Sequence, residues 1–454
     1  MELTNITTEN TVFVALSFEG PDVYSSAGGL GVRVTNLSEA LAQSGFPTHL
    51  FFIGDPKRKG EEISRDGKLV LHRWCQWISR YHPAGVYQAE EQKLYDYNNS
   101  IPGFLLEHVI KPAIRQNKIV VILAEEWHTA EVVCRISDLL KQHGVRDKVV
   151  IFWNANNTFG FERINFKRLA DSATMTTVSR FMKHIMWRLG LNPLVIPNGI
   201  PKSLLNRVDT AAALCLRKAL GSQVILAKIA RWDPDKRWLM AVEATAMLKA
   251  KGLRTILLAR GGIEPHGGEV LQHARSLRLS VKDTGNHVTS ADECIRAITS
   301  CADADVINIR FHCTQEFLRI VYNAADAVLA NSGKEPFGLV GLETMAAGGV
   351  AFTGSTGEDY AIPFHNSIVL ETSDPKEIEG HIINLMRDPV NAEKIRKAAR
   401  STAARFTWEQ IIENLTQKLE YQARIEGCLS LPTASESLLV DTSEEPDFAI
   451  AENG

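Results

Sequence analysis

The sequence predicts an α/β protein made of two doubly wound domains that face each other across a cleft. Two observations carry that expectation. Short β-branched runs alternate with helix-period segments along most of the 454 residues, the pattern of parallel strands covered by helices. This alternation occurs twice, and between the two series Ile196-Pro-Asn-Gly-Ile-Pro201 breaks both periods with two prolines and a glycine, as a connection between domains does.

In the first series the β-branched runs place strands at 11–18, 48–53, 119–123, 149–153, 175–178 and 194–196. Helical spacing falls between them at 32–43, 104–115, 130–142 and 180–189. The second series gives strands at 224–230, 255–258, 306–309, 327–330, 350–353 and 367–369, again with helices between. The expected organisation is a first domain over 1–200, a second over 201–406, a helix within 407–427 packing back on the first domain, and a tail over 428–454. That tail holds six acids and no Lys or Arg, and its Ser/Glu/Pro composition reads as disordered.

Composition narrows the function classes. With 45% hydrophobic and 23% charged residues the chain is of ordinary globular composition, which excludes a disordered or collagen-like protein. A formal charge of -3 argues against a nucleic-acid binder. The six acids of the tail outweigh the net charge, so the rest of the chain is mildly basic, a bias compatible with an anionic ligand. Seven scattered cysteines, odd in number and nowhere at metal-ligand spacing, read as thiols of a reducing compartment. No signal peptide or membrane-length apolar run stands out, and the expectation is a cytoplasmic protein without membrane association. Its oligomeric state is not legible.

Chemistry concentrates in four segments. Ser25-Ser-Ala-Gly28-Gly29-Leu30-Gly31 lies between the first strand and first long helix; its amides at a helix start suit a phosphate, although a tight turn needs the same glycines. Arg231, Lys236 and Arg237 gather before a helix, where cations are unfavourable unless an anion is bound; the alternative is that Asp233 and Asp235 cap the helix and pair with them. Asn331-Ser-Gly-Lys-Glu335-Pro-Phe-Gly338-Leu-Val-Gly-Leu-Glu343 runs from a strand end into an apolar helix, and an ionised Glu343 amid Leu339, Val340 and Leu342 needs hydrogen-bond partners. The hydroxyls of a ribose would supply them, and Glu335 could face a second sugar ring. Glu126-Trp-His128-Thr follows a strand, a position where a histidine alone is commonly structural. A fifth run, Trp153-Asn-Ala-Asn156-Asn157, reads either as cleft lining for an acceptor or as a polar turn over the sheet end.

The segment from Glu335 to Glu343 resembles the E-x7-E signature of retaining glycosyltransferases of the GT-B fold. The opening Phe18-Glu-Gly-Pro-Asp-Val-Tyr-Ser-Ser-Ala-Gly-Gly-Leu-Gly31 is similar to the start of glycogen and starch synthases, Glu126-Trp-His-Thr129 to their HDWH segment, and Val195-Ile-Pro-Asn198-Gly199-Ile to the interdomain hinge of this broad group. The resemblance implies two Rossmann-like domains and a nucleotide-sugar donor, with no other cofactor and no required metal. It assigns the ribose to Glu343, the transferred sugar's hydroxyls to Glu335, and the diphosphate to Arg231, Lys236 and the amides of Gly338, Leu339 and Val340. Gly28 and Gly29 would close on the diphosphate from the other domain, His128 would sit beside the sugar, and a hydroxyl acceptor would enter the cleft.

Two departures shift the expectation. Ser26 stands where glycogen synthases carry the lysine of KxGGL, and Glu125-Glu126 replaces His-Asp before Trp-His. A hexosyltransferase of the broad family 4 type is therefore expected over a glucan-elongating synthase, a sugar-nucleotide epimerase or a non-catalytic nucleotide-sugar binder. The two Asp-x-Asp sequences, Asp233-Pro-Asp235 and Asp303-Ala-Asp305, do not stand at a strand end as a metal motif would.

Overall fold

In the computed structural model, residues 3–286, 288 and 290–431 are described, and they form two sheets. Residues 432–454, and with them most of the acidic tail, lie outside the described residues. The first sheet contains β1 (Thr11–Leu16), β2 (Thr48–Ile53), β3 (Glu61–Ser64), β4 (Leu69–Trp74), β5 (Ile119–Glu125), β6 (Val149–Ala155), β7 (Thr174–Thr177) and β8 (Leu194–Val195). Their order is β3-β4-β2-β1-β5-β6-β7-β8, parallel except for the β3–β4 pair. The second sheet, wholly parallel, contains β9 (Val224–Ile229), β10 (Thr255–Arg260), β11 (Val281–Asp283), β12 (Val306–Asn308), β13 (Ala327–Ala330), β14 (Ala351–Thr353) and β15 (Ile368–Val369). Here the order is β11-β12-β10-β9-β13-β14-β15.

The central strands are apolar on both faces because helices cover both sides: β1, β5 and β6 are buried at every position. Where the structure departs from the sequence expectation, the cause is local polarity. The β3–β4 hairpin escapes a search for apolar runs because Glu61-Glu-Ile-Ser64 is an edge strand largely in solvent. The helix expected at 104–115 is the rear of a longer helical run that starts at Glu90 and passes through a π-helical turn at Leu106–Ile110; polar residues and Pro102 mask its front half.

The chain passes between domains twice at one place. Ile200 N donates to Phe406 O at 2.8 Å and Trp408 N to Ile200 O at 3.1 Å. Gly199 is required there, since a Cβ would lie 2.6 Å from the Trp408 ring. The helix Trp408–Ile425 then lays its apolar stripe on the first sheet, with Trp408, Ile411, Ile412, Leu415 and Leu419 packed into the cluster of Phe13, Leu41, Ile119 and Val121.

Candidate active site

Both sheets reverse their strand order beside the central strand, between β1 and β5 in the first and between β9 and β13 in the second. Loops leaving such neighbours diverge and open a crevice at the C-terminal ends of the strands. The residues that the sequence singles out lie on these loops or on the helices they open: Gly28 and Gly29 after β1, His128 after β5, Arg231 and Lys236 after β9, and Glu335 to Glu343 after β13.

In the second domain Lys236 Nζ stands 2.7 Å from Glu335 Oε2, which also accepts a hydrogen bond from Ser332 Oγ at 2.8 Å. Both partners of the ion pair remain about a fifth exposed. Lys236 ends a short 3-10 turn, Pro234–Lys236, that Asp233 caps by accepting from Asp235 N at 2.8 Å. Asp235 in turn accepts from Lys334 N at 3.1 Å. Neither aspartate pairs with a cation, and Arg231 stands exposed with no ion pair among the described residues. Beneath the loop, buried Lys228 donates to Leu329 O at 2.9 Å and to Asn331 Oδ1 at 2.7 Å, which ties β9 to the start of the Glu335 loop. Burial, reinforced by Lys236 and Arg237, lowers its pKa to about 7.

Helix Leu339–Ala346 opens at Gly338, whose carbonyl accepts from the Tyr360 hydroxyl. A Cβ at Gly338 would stand 2.8 Å from Glu358 Cγ, so the close approach requires glycine. The amides of Gly338 and Val340 have no partner among the described residues, whereas that of Leu339 is bonded to Phe337 O at 3.1 Å. Glu343, on the second turn and half-buried, has a carboxylate with no partner among the described residues; burial raises its pKa to about 7. Glu358 is buried too and shifted to about 7 by burial and by Glu335, with Oε1 unpartnered.

In the first domain the glycine loop already holds an anion, and it belongs to the chain. Glu19 Oε2 accepts from Gly28 N at 2.9 Å, Gly31 N at 3.0 Å and Ala27 N at 3.2 Å, while Tyr87 donates its hydroxyl to Oε1. The Gly28 amide, expected to face a diphosphate, is thus engaged, and Gly29 stays exposed at the helix start. His128 is 4% exposed, stacked between Phe18 and Trp127 at centroid distances of 4.2 and 3.8 Å. Burial, helped by Arg163, lowers its pKa to about 3, so the ring is neutral. Its Nε2 donates to Glu90 Oε1 at 2.7 Å, which leaves Nδ1 an acceptor, buried without a partner.

The two acids before Trp127 are structural hubs. Glu125 receives Arg33 Nε at 3.1 Å and Asn154 and Asn156 Nδ2 at 2.8 Å each, and Arg33 also donates to Asn198 of the interdomain connection. Glu126 adopts φ +68° and accepts from Asn156 N at 2.8 Å; burial drives its pKa up to about 8. Trp153 is fully buried, its Nε1 bonded to Glu126 O at 3.0 Å, which corrects its reading as cleft lining: an inward position on a central strand leaves no face for an acceptor. Asn156 and Asn157 spend their side chains on Glu125 and Glu126.

Residues 218–402 match the family described as "Glycosyl transferases group 1". Sucrose-phosphate synthase from Thermosynechococcus elongatus superposes with a TM-score of 0.65 at 19% identity, over 91% of this chain and 99% of that one. The catalytic domain of starch synthase IV from Arabidopsis thaliana, bound to ADP and acarbose, gives 0.62 at 16% identity over 92% and 99%. The fold is GT-B, and the match to the group 1 family falls within its second sheet domain. A D-inositol 3-phosphate glycosyltransferase from Thermobispora bispora is 30% identical over 123 residues, 26% of this chain and 29% of that protein. The matched segments span between 24% and 47% of the curated relatives' own lengths. The group 1 domain carries Arg231, Lys236, Glu335, Gly338 and Glu343, and also two residues that sequence reasoning missed, Lys228 and Glu358. Lys228 had a signal, a lone lysine inside the apolar strand Val-Ile-Leu-Ala-Lys-Ile. Glu358 follows a Gly-rich loop that resembles any polar turn, and only the fold brings it to Gly338.

Proposed function

We propose that the chain is a retaining glycosyltransferase that moves a hexose from a nucleoside-diphosphate sugar to a hydroxyl of a saccharide or small polar acceptor in the crevice. The observation that carries this reading is the contact of Lys236 with Glu335 beside the open amides of Gly338 and Val340. A cation suited to phosphate and a carboxylate suited to sugar hydroxyls share one point, the point where the sugar–phosphate bond of such a donor would lie. As that bond breaks, charge grows on the β-phosphate, and Lys236, Arg231 and the helix amides stabilise it more than the ground state. The departing phosphate oxygen takes the acceptor's proton while the acceptor oxygen attacks from the same face of the sugar, which retains configuration. The ribose hydroxyls donate to Glu343. The group 1 match of the second domain and the likeness to a sucrose-phosphate synthase and to a starch synthase bound to ADP support the reading. No cofactor besides the donor is invoked, because the chain supplies the cations. Among the described residues no helix is long and apolar enough to cross a membrane, and the seven cysteines are unpaired, which fits the cytoplasm as the site of action.

A thermal-shift panel of ADP, UDP, GDP and their hexose conjugates tests the donor; a ligand at 100 times its Kd adds about 2.7 kcal/mol of stability. One nucleotide series is expected to raise the melting temperature, and Glu343→Ala to abolish the rise. Nucleotide release that depends on added acceptor establishes transfer. An epimer formed from donor alone, or binding without turnover over a broad acceptor panel, overturns it.

A further inference from the structure

On the far side of the second domain, away from the strand ends that carry the crevice, four arginines converge without acidic partners. Arg207, Arg319, Arg396 and Arg400 have no ion pair among the described residues, in contrast to the buried arginines Arg33 and Arg73, which are both paired with carboxylates. Arg319 and Arg400 direct their guanidinium groups at the same backbone, both donating to Asn206 O, with Arg400 also reaching Leu205 O. Arg396 donates to Gly348 O at 2.9 Å and Arg400 to Ala346 O at 2.9 Å, the carbonyls that end the helix bearing Glu343. The acids nearest the cluster, Asp326 and Glu393 beside Arg396 and Glu316 beside Arg319, act on the arginines without forming an ion pair with them. Burial and the neighbouring Arg400 depress the pKa of Arg319, and its Nε is buried without a hydrogen-bond partner.

The cluster opens on a groove. A cavity of about 590 Å³ is lined by Arg207, Arg396, Lys397 and Arg400 against a single acid, Glu393, which Lys397 meets at 3.8 Å. It shares Arg207, Val208 and Thr210 with an adjoining cavity of about 380 Å³ that reaches Arg319 and brings two further acids, Asp209 and Glu316, so that five cations face three carboxylates over the whole groove. That volume suits a small molecule and not a polymer. Guanidinium groups in excess over carboxylates, none of them held in an ion pair, match the oxygens of a phosphate, which they bind with N–H donors.

We propose that this groove binds a small phosphomonoester, separately from the donor crevice and independently of the transferase reading. The bound anion would draw on arginines that also hold Leu205 and Asn206, just beyond the interdomain connection, and the end of helix Leu339–Ala346.

The test titrates the full chain with inorganic phosphate and with glycerol 3-phosphate by calorimetry, which separates recognition of phosphate alone from recognition of an esterified one. Arg207 and Lys397 are exposed and cap no carbonyl, so Arg207→Glu with Lys397→Glu leaves the fold intact, as an unchanged melting temperature will verify. Saturable binding of at least one compound is expected, weakened tenfold or more in that double variant and changed less than twofold in Arg231→Ala with Lys236→Ala. Binding retained in the first variant, binding lost in the second, or no saturation by either compound overturns the proposal.

Discussion

On the proposed reading, Glu343 should couple donor binding to pH. With a pKa near 7 it is largely protonated at pH 6, and ribose hydroxyls that donate to it favour the ionised form. A nucleotide sugar, which has no titration of its own in this range, should therefore release protons on binding below pH 7. Its affinity should rise with pH by up to about tenfold per unit and level off above 7. Calorimetry at pH 6 in two buffers of different ionisation heat measures the proton; Glu343→Gln should remove it, and an unchanged heat between buffers would sink the ribose assignment. Glu126 makes a matching statement about stability. Its carboxyl titrates near 8 in the fold against 4.5 ordinarily, so ionisation favours the unfolded chain, and stability is full below about 4.5 and falls as pH climbs toward 8. Glu126→Gln keeps an acceptor for Asn156 N and should raise the melting temperature at pH 8, by an equivalent of about 4 kcal/mol, and change it far less at pH 5. Residue types were legible in the sequence where an acid sat in apolar or Gly-rich surroundings, as Glu343 and Glu335 do. Contacts were not: Lys236 and Glu335 meet across 99 positions, and Glu19 reaches Gly28 from nine positions away inside what reads as one loop.

At the scale of elements, the helix Leu339–Ala346 and the Gly354-to-Tyr360 loop form one unit. Gly338→Ala inserts a methyl against Glu358 Cγ and displaces the helix start, with donor affinity expected to drop tenfold or more while the melting temperature falls by only a few degrees. Thermal shift with and without donor separates the two effects, and full affinity in this variant would show that the helix start does not touch the donor. Helix Trp408–Ile425 is the second such unit, and Trp408→Ala should cost about 3–5 kcal/mol in urea unfolding because its indole fills the junction beside Gly199. Strands β2 and β13 lie where the sequence puts them, since a strand buried in a parallel sheet carries a run of apolar residues, Leu50 to Ile53 in one and Ala327 to Ala330 in the other. The β3–β4 hairpin and the front of the Glu90 helical run were illegible because edge and surface elements carry no such constraint.

For the molecule as a whole, the order of strands explains why four distant segments gather at two switch points, two segments in each sheet. Sequence periodicity predicts strands but not their neighbours, so the switch points at β1/β5 and β9/β13 had no signature. The first domain is anchored to the connection through Arg33, Glu125 and Asn198, and Arg180 of that domain pairs with Asp359 beside Glu358. A fragment of residues 201–406 contains Arg231, Lys236, Glu335 and Glu343, and is expected to bind the nucleotide alone but without turnover, because His128 and the glycine loop are missing. Both ends of the described chain lie on the first domain, where Ser430 N donates to Leu3 O at 2.8 Å and Ile6 N to Glu420 Oε1 at 2.9 Å. The second domain is thus an insertion, entered at Ile200 and left at Phe406. During synthesis the insertion emerges whole and is free to fold, while the first domain waits with the face of Phe13 and Ile119 uncovered until the last helix leaves the ribosome. The order of folding is therefore expected to invert the order of the sequence.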